Sequence, residues 1–281
     1  MNRGCLIFAH DGEVDYGSQA VLASKLVKKH LGVPVCLVTD KDTLISIGDK
    51  FRDMPFDDLI IIEKPITKNT RKLARPDGTH ETVSFINSNR TSAYDLTPYD
   101  RTLVIDTDFL VFSNELGNYW DSQYDFLIIP GMKELQEELI IPGDHKVSET
   151  TVSLMWATNI MFSKTPETKL LFELVDYIRE DYDYYSYLYE FLNHQYRNDY
   201  AFSIACHIMS GYGTDTWHGK LPMPLHFIDS DEIIKVTDQG QINFLVPTKK
   251  GPIMTRCQGQ DVHIMNKRSI LKNLDKLLEL T

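Results

Sequence analysis

Residues 103–112 read LVIDTDFLVF and place two aspartates, Asp106 and Asp108, inside an otherwise apolar run. An isolated carboxylate taken out of water costs several kcal/mol. In a strand, residues i and i+2 point to the same face, so we expect both carboxylates to converge on one point. Two such charges repel unless a cation or a proton lies between them. A hard divalent cation, Mg²⁺ or Mn²⁺, suits oxygen ligands and bridges readily to phosphate, so the stretch predicts a metal site.

Strand-like and helix-like segments alternate before this stretch. Apolar runs at residues 5–10, 33–40 and 59–64 are separated by helical patterns, the first of them over residues 19–30. Continuous apolar strands separated by helices indicate a parallel sheet covered on both faces. Residues 102–112, 125–131 and 156–164 are expected to supply further strands.

The carboxyl-terminal part is expected to carry more helix. One helix is predicted to start at Pro166 and to extend into the tyrosine-rich segment 182–189, and another to cover residues 200–209. A hairpin is predicted to turn at residues 238–240, and a final amphipathic helix to be capped by Ser269. The sequence contains no repeat and no linker rich in Pro, Gly and Ser, which favours one domain.

Composition excludes several classes of protein. The net charge of −11 argues against binding nucleic acid through the whole surface. Four scattered cysteines without a CxxC pair indicate reduced thiols, neither a disulfide framework nor a zinc site. No run approaches the roughly 20 apolar residues that span a bilayer. We therefore expect a cytoplasmic protein with no membrane contact and no obligate protein partner.

One segment is locally basic, and two interpretations of it remain open. It is either a solvated loop or a loop that contacts phosphate. Its cationic residues are Lys64, Lys68, Arg71, Lys72 and Arg75.

The segment LTPYDRTLVIDTDFLV, residues 96–111, resembles the region around the DxD motif of GT-A glycosyltransferases, especially family 8 and its relatives. The resemblance implies an α/β fold of GT-A type, a Rossmann-like mixed sheet flanked by helices. It implies that Asp106 and Asp108 anchor a metal on the diphosphate of a nucleotide sugar. It also implies a single domain over residues 1–281, with 1–112 as the nucleotide-binding half and 113–281 as the acceptor half with a late metal and pyrophosphate element.

Three further motifs extend this resemblance along the chain. Arg90, in SNRTSAYDLTPYD, falls where the family carries a basic residue that faces the nucleotide. ATNIMFSK is similar to a strand that the family writes NAGVMLF, which implies a place for Asn159 beside the donor sugar. RNDYAFSIA resembles the start of an Asp-containing helix, which makes Asp199 a candidate for contact with a sugar hydroxyl. Asp199 and Asn159 are thus the candidate catalytic residues.

A motif near the carboxyl terminus completes the family resemblance. DVHIMNKRS is similar to the family's HxxGxxK element, which implies that His263 is the remaining metal ligand. Lys267 or Arg268 would then contact the pyrophosphate. Asn266 stands where the family has glycine and the basic residues come sooner, so the choice between these two cations stays open.

The first loop, HDGEVDYGSQ, joins the first strand to the first helix, and such loops line the ligand crevice of open α/β sheets. Tyr16 is placed to stack on a base, and His10 and Asp11 to bind base or ribose. A turn at Asp11 with a helix capped by Ser18 fits the same residues. Asp40 has the same two interpretations, a nucleotide contact or a helix cap.

The leading functional hypothesis is a metal-dependent glycosyltransferase with Mn²⁺ or Mg²⁺ as cofactor and a nucleotide sugar, UDP-linked by family habit, as donor. Residues 6–40 resemble glycosyltransferase-like proteins of tailed phages, some of which add glucose or arabinose to 5-hydroxymethylcytosine in DNA. Hydroxymethylated DNA is therefore one acceptor, and a saccharide or a protein hydroxyl is the alternative. Trp156, Trp217, His218 and the tyrosines fit either an acceptor platform or ordinary core packing.

Two other functional classes share part of this residue pattern. A non-catalytic protein that binds nucleotide sugars would keep the same residues. A phosphatase of the haloacid dehalogenase type also carries DxD after a strand, but Leu110 occupies the place where that class has threonine or valine.

Overall fold

The structure is a computed structural model that describes residues 2–63, 69–74, 80–85, 88–134, 152–191, 195–213, 216–248 and 250–281. Its strands are β1 (Arg3–Ala9), β2 (Val35–Thr39), β3 (Asp58–Ile61), β4 (Asn69–Ala74), β5 (His80–Phe85), β6 (Arg101–Ile105), β7 (Phe109–Leu110), β8 (Phe126–Ile129), β9 (Lys133–Glu134), β10 (Trp156–Ser163), β11 (Gly219–Lys220), β12 (Leu225–Phe227), β13 (Glu232–Val236), β14 (Gln241–Val246), β15 (Ile253–Gln258) and β16 (Val262–Ile264). Its α-helices are α1 (Tyr16–Leu31), α2 (Lys41–Lys50), α3 (Ala93–Leu96), α4 (Pro166–Glu180), α5 (Tyr182–Leu188), α6 (Asn198–Met209), α7 (Lys267–Lys272) and α8 (Leu274–Leu278).

The central sheet has seven strands in the order β11-β8-β10-β6-β1-β2-β3. All of its pairs are parallel except those of β10, which runs antiparallel to both β6 and β8. The predicted α/β class, a mixed sheet flanked by helices, is confirmed. The parallel arrangement expected from the apolar runs is confirmed for β1, β2, β3 and β6. The direction of β10 was not predictable, because the apolar pattern of a buried strand carries no information about its direction.

Helices cover both faces of this sheet, which explains why its strands are apolar on both sides. Ile7 of β1 packs in one core with residues of α1, whereas its neighbour Leu6 packs in another with residues of α4 and α6. The first helix is capped by Asp15, whose carboxylate accepts the backbone N–H of Ser18 at 2.9 Å. The predicted cap at Ser18 is therefore wrong by one turn, since Asp15 accepts the same kind of bond earlier in the chain.

A second sheet, in the order β7-β16-β12-β9, lies where the central strand β6 ends. The expected single strand over residues 102–112 is interrupted: β6 ends at Ile105, and β7 begins at Phe109 in the second sheet. Asp106, Thr107 and Asp108 form the turn between them, closed by a hydrogen bond from the Phe109 N–H to the Asp106 carbonyl at 3.1 Å. The acids are thus on a turn between two sheets rather than on one face of a strand.

The carboxyl-terminal strands β13, β14 and β15 form a third sheet. The predicted hairpin is confirmed, with β13 and β14 joined through Gly240 at φ +79°. The cap of α7 is Asn266, whose side-chain oxygen accepts the Ser269 N–H, while the Ser269 hydroxyl instead accepts the Ile233 N–H of β13. The predicted cap at Ser269 is therefore wrong, because tertiary pairing engages that hydroxyl.

Two long helices expected from the sequence are each divided in the structure. The helix predicted from Pro166 begins there but ends at Glu180, and α5 follows after Asp181. The final helix is split at Asn273 into α7 and α8. Among the described residues, no helix combines the length and the apolar character that crossing a bilayer requires.

Candidate metal and nucleotide site

Three ligand-type side chains converge at the turn after β6. One atom each of Asp106, Asp108 and His263 lies within 4.8 Å of the others. Backbone pairing explains this, because Phe109 of β7 is opposite His263 of β16, and the Ile264 N–H donates to the Asp108 carbonyl at 3.0 Å. The two acids therefore do converge, as the sequence predicts, although by a different geometry.

Two basic side chains pair with the acids. Lys267 at the start of α7 binds Asp108, and Arg90 binds Asp106 while also donating to the Ala157 carbonyl. Arg268, the neighbour of Lys267, is exposed on the helix. Of the two cations left open by the sequence, the structure brings Lys267 to the acids.

The electrostatics of the turn favour the charged forms of Asp108 and Arg90. Burial raises the pKa of the Asp108 carboxyl, but Lys267 and His263 outweigh burial, so this pKa lies well below its usual value. Burial lowers the pKa of the Arg90 guanidinium to about 10, against the opposing charges of Asp199 and Asp108. Arg90 is thus a cation at neutral pH, and the carboxylates of the turn are balanced by the positive charges of Lys267 and Arg90.

The donor set fits a divalent cation. Two carboxylates and one imidazole supply hard oxygen ligands and a borderline nitrogen, a combination that suits Mn²⁺ or Mg²⁺. The His263 Nε2 lies 3.4 Å from an Asp108 oxygen, so the imidazole nitrogen and the carboxylate face the same space. Asp106, Asp108 and His263 are the residues that would hold the ion.

Asn159 and Asp199 occupy different environments near the turn. Asn159 is fully buried opposite Ile105 of β6, and its amide has no hydrogen-bond partner among the described residues. Asp199, by contrast, accepts the Ala157 N–H at 2.8 Å and binds Arg197 at 2.7 Å. The Asn159 amide is thus buried without a partner among the described residues, whereas both carboxylate oxygens of Asp199 have protein partners.

The first loop lies at the same sheet edge as the acids, because β1 and β6 are parallel neighbours. The His10 Nδ1 is 2.9 Å from an Asp40 oxygen, and the buried His10 Nε2 has no partner among the described residues. Asp40 caps α2 by accepting the N–H groups of Asp42 and Thr43. The helix-cap interpretation of Asp40 is confirmed, and the same carboxylate contacts His10, whereas a nucleotide contact by Asp40 stays a prediction.

Asp11 and Tyr16 complete this loop. Asp11 accepts the Gly17 N–H through its side chain at 2.8 Å, and its own N–H donates to the Thr43 hydroxyl. Tyr16 begins α1, is half-buried and packs against the core beneath the loop. The loop is therefore held by its own polar side chains.

Several candidates lie away from the acid turn or outside the described residues. Trp217 stacks on Phe126 where β8 begins, and His218 is buried beside it, at the edge of the sheet opposite to the acids. Trp217 and His218 therefore lie away from the acid turn, because β8 runs parallel to β6 and its start lies at the far edge. Their packing fits the core interpretation, and a role in an acceptor platform stays a prediction. In the basic segment, Lys64, Lys68 and Arg75 lie outside the described residues.

Sequence reasoning missed two residues beside the site. His226 of β12 is buried, with its Nδ1 3.0 Å from the Nδ1 of His263. Arg197 precedes α6, and its guanidinium lies 5.8 Å from the Trp156 ring centre. A histidine inside the short apolar run LHF was the available signal for His226, but its partner became visible only through the pairing of β12 with β16.

No protein-family model matches the sequence, and no curated protein matches it. Among solved structures, the galactosyltransferase LgtC in complex with donor and acceptor sugar analogues is similar at a TM-score of 0.48 and 12% identity, covering 80% of this chain and 75% of that one. The glycosyltransferase GlyE of Streptococcus pneumoniae TIGR4 gives a TM-score of 0.44 and 11% identity, covering 79% of this chain and 45% of its own. The chain thus spans less than half of the GlyE chain.

Proposed function

We propose that this chain is a metal-dependent glycosyltransferase that takes a sugar from a nucleoside diphosphate sugar. The observation that carries the proposal is the acid turn itself. Asp106, Asp108 and His263 present a divalent-ion donor set, and Lys267 and Arg90 place two positive charges against the same carboxylates. Such a set of charges is complementary to a diphosphate bound through a cation.

The leaving group of the proposed reaction explains the basic residues. When the sugar departs, negative charge develops on the nucleoside diphosphate, and fixed positive groups in a water-poor site stabilise it. The bound cation would supply Lewis-acid stabilisation of that diphosphate. Lys267 would turn from Asp108 to a phosphate oxygen, and Arg90 would stay with Asp106 and hold that carboxylate in place. The Asn159 amide would contact the donor sugar.

The nucleoside end would lie over the first loop. With Asp40 accepting from its Nδ1–H, His10 presents Nε2 as a hydrogen-bond acceptor to a base N–H or a ribose hydroxyl. Tyr16 would pack against the base, and Asp11 would hold the loop. Uridine is the base that the family resemblance favours, and both hexosyl and pentosyl donors belong in the test.

The acceptor is proposed from the sequence alone. Hydroxymethylcytosine in DNA is supported by the resemblance to phage proteins and by the basic segment. A saccharide or protein hydroxyl is supported by the net charge of −11. A base inside a duplex would also need to be reached in the groove or turned out of the stack.

The test is a panel of UDP-, GDP- and TDP-sugars with Mn²⁺ or Mg²⁺, scored by release of the free nucleoside diphosphate. Each donor is assayed with hydroxymethylated DNA, unmodified DNA, oligosaccharides and no acceptor. The proposal predicts metal-dependent release that Asp108→Asn abolishes and that the exposed control Asp121→Asn preserves. Nucleotide-sugar binding without release under every condition would instead indicate a non-catalytic binding protein.

A further inference from the structure

Two buried histidines lie side by side behind the proposed metal site. His226 of β12 and His263 of β16 are paired in parallel register, and their rings stack with centres 4.9 Å apart. They are 2% and 5% exposed, and their Nδ1 atoms are 3.0 Å apart. His226 is not one of the three clustered ligand residues, so its contact with the site runs through His263.

We propose that His226 is a positioning residue for the metal site, where it fixes the tautomer and the ring orientation of His263. This inference rests on the proposed metal site and deepens it, because His226 would determine which nitrogen of His263 offers a lone pair to the cation.

The chemistry of two neutral imidazoles supports this role. Each neutral ring carries one N–H and one lone pair, so two nitrogens at 3.0 Å form a hydrogen bond only when one donates and the other accepts. When the His263 Nδ1–H donates to the His226 Nδ1, the lone pair of His263 is left on Nε2. That nitrogen faces Asp108 at 3.4 Å, on the side of the clustered carboxylates. The pairing therefore presents the metal-binding form of His263.

If His226 did not accept this hydrogen bond, the Nε2–H tautomer of His263 would become favourable. His263 would then keep its proton on Nε2 and donate it to the Asp108 carboxylate, and an imidazole N–H cannot bind a cation. The surroundings hold His226 in place, since its ring also lies 5.6 Å from the ring of Trp156 and its backbone is paired within the second sheet. Partners that orient a ligating histidine usually contribute about 10–100-fold to metal affinity.

The test measures Mn²⁺ alone, by electron paramagnetic resonance of the free ion titrated with metal-free protein. His226→Phe keeps a ring but removes the acceptor, and we expect it to weaken Mn²⁺ binding about 10–100-fold. His226→Asn places an amide oxygen near the position of Nδ1 and is expected to recover most of the affinity. His218→Phe, the matched loss of a buried histidine at the far edge of the sheet, is expected to bind Mn²⁺ as the wild type does.

Histidine ¹⁵N spectra of the metal-free wild type give a second readout that needs no variant to fold. We expect the Nδ1–H form of His263 together with the Nε2–H form of His226. The opposite pair of tautomers would overturn the proposal, as would wild-type Mn²⁺ affinity in a folded His226→Phe or no Mn²⁺ binding by the wild type. Weakened Mn²⁺ binding in His226→Phe that is rescued in His226→Asn would support the role of His226. If the wild type also transferred no sugar, that separate result would contradict only the proposed glycosyltransferase activity.

Discussion

The two polar clusters at the carboxyl edge of the sheet neutralise their buried carboxylates in different ways. Asp108 is neutralised by Lys267, which lies 159 residues away, and it faces a histidine from another strand. Asp40 is stabilised by the N–H groups and the hydroxyl of the next turn, and His10 contacts it from 30 residues earlier in the chain.

At Asp108 the lysine can therefore be exchanged for a metal ion, whereas the contacts of Asp40 are part of the scaffold. A lysine amine on a flexible stem can leave a carboxylate when a divalent ion arrives. Backbone N–H groups at a helix start cannot leave without unfolding the turn. We therefore expect substitutions in the acid turn to change metal binding and turnover, and substitutions around Asp40 to change stability.

The largest expected effect is that of Asp108→Asn. Loss of one charged ligand should abolish measurable Mn²⁺ binding and reduce nucleoside diphosphate release about 1,000-fold or more, because charge stabilisation is the largest contribution to such catalysis. Steady-state release assays and Mn²⁺ titration measure both quantities. Turnover within tenfold of the wild type would remove Asp108 from the site.

The corresponding substitution in the other cluster is Asp40→Ala. It should lower the free energy of unfolding by about 3 kcal/mol, because the helix α2 loses its cap and His10 loses its partner. For a chain of this size we expect a fall in Tm of roughly 6–12 °C by calorimetry. The Mn²⁺ affinity of the folded protein should stay within twofold. A large loss of metal affinity at unchanged Tm would show that the two clusters are not distinct.

Lys267→Met should act in two opposite directions. It removes a cation that competes for Asp108, so Mn²⁺ binding without nucleotide should tighten, while kcat/KM for sugar release should fall about 100-fold because the diphosphate loses a positive partner. Arg268→Met, the adjacent exposed cation, is the matched comparison. A larger loss of kcat/KM in Arg268→Met would assign the pyrophosphate contact to Arg268 instead.

The smallest effect concerns the buried amide of Asn159. A buried polar group without a partner costs about 1–3 kcal/mol, so the near-isosteric Asn159→Leu should raise the free energy of unfolding by about 1 kcal/mol. The same variant should lose donor-sugar binding in titrations with a nucleotide sugar. Lower stability together with unchanged donor binding would mark Asn159 as a purely structural residue.

Local patterns predicted the strands, the helix that starts at Pro166 and the hairpin at Gly240, because these depend on residues close together in the chain. Serine suits the cap position, so the sequence predicts caps at Ser18 and Ser269, yet Asp15 and Asn266 lie earlier and fill the same role. The reversal of β10 and the contact between His226 and His263 arise from strand pairing across long separations, which residue spacing does not encode. The acids converge as expected, but the turn that brings them together depends on β7 joining a second sheet.

The central claim is that Asp106, Asp108 and His263 bind one divalent cation that links the protein to a diphosphate. Anomalous diffraction at the manganese edge, from crystals grown with Mn²⁺ and a nucleoside diphosphate, tests it most directly. The account predicts one strong peak within bonding distance of both carboxylates and of the His263 Nε2, with Lys267 turned to a phosphate oxygen. A site without a peak, in which Lys267 and Arg90 still hold the two acids, would contradict it.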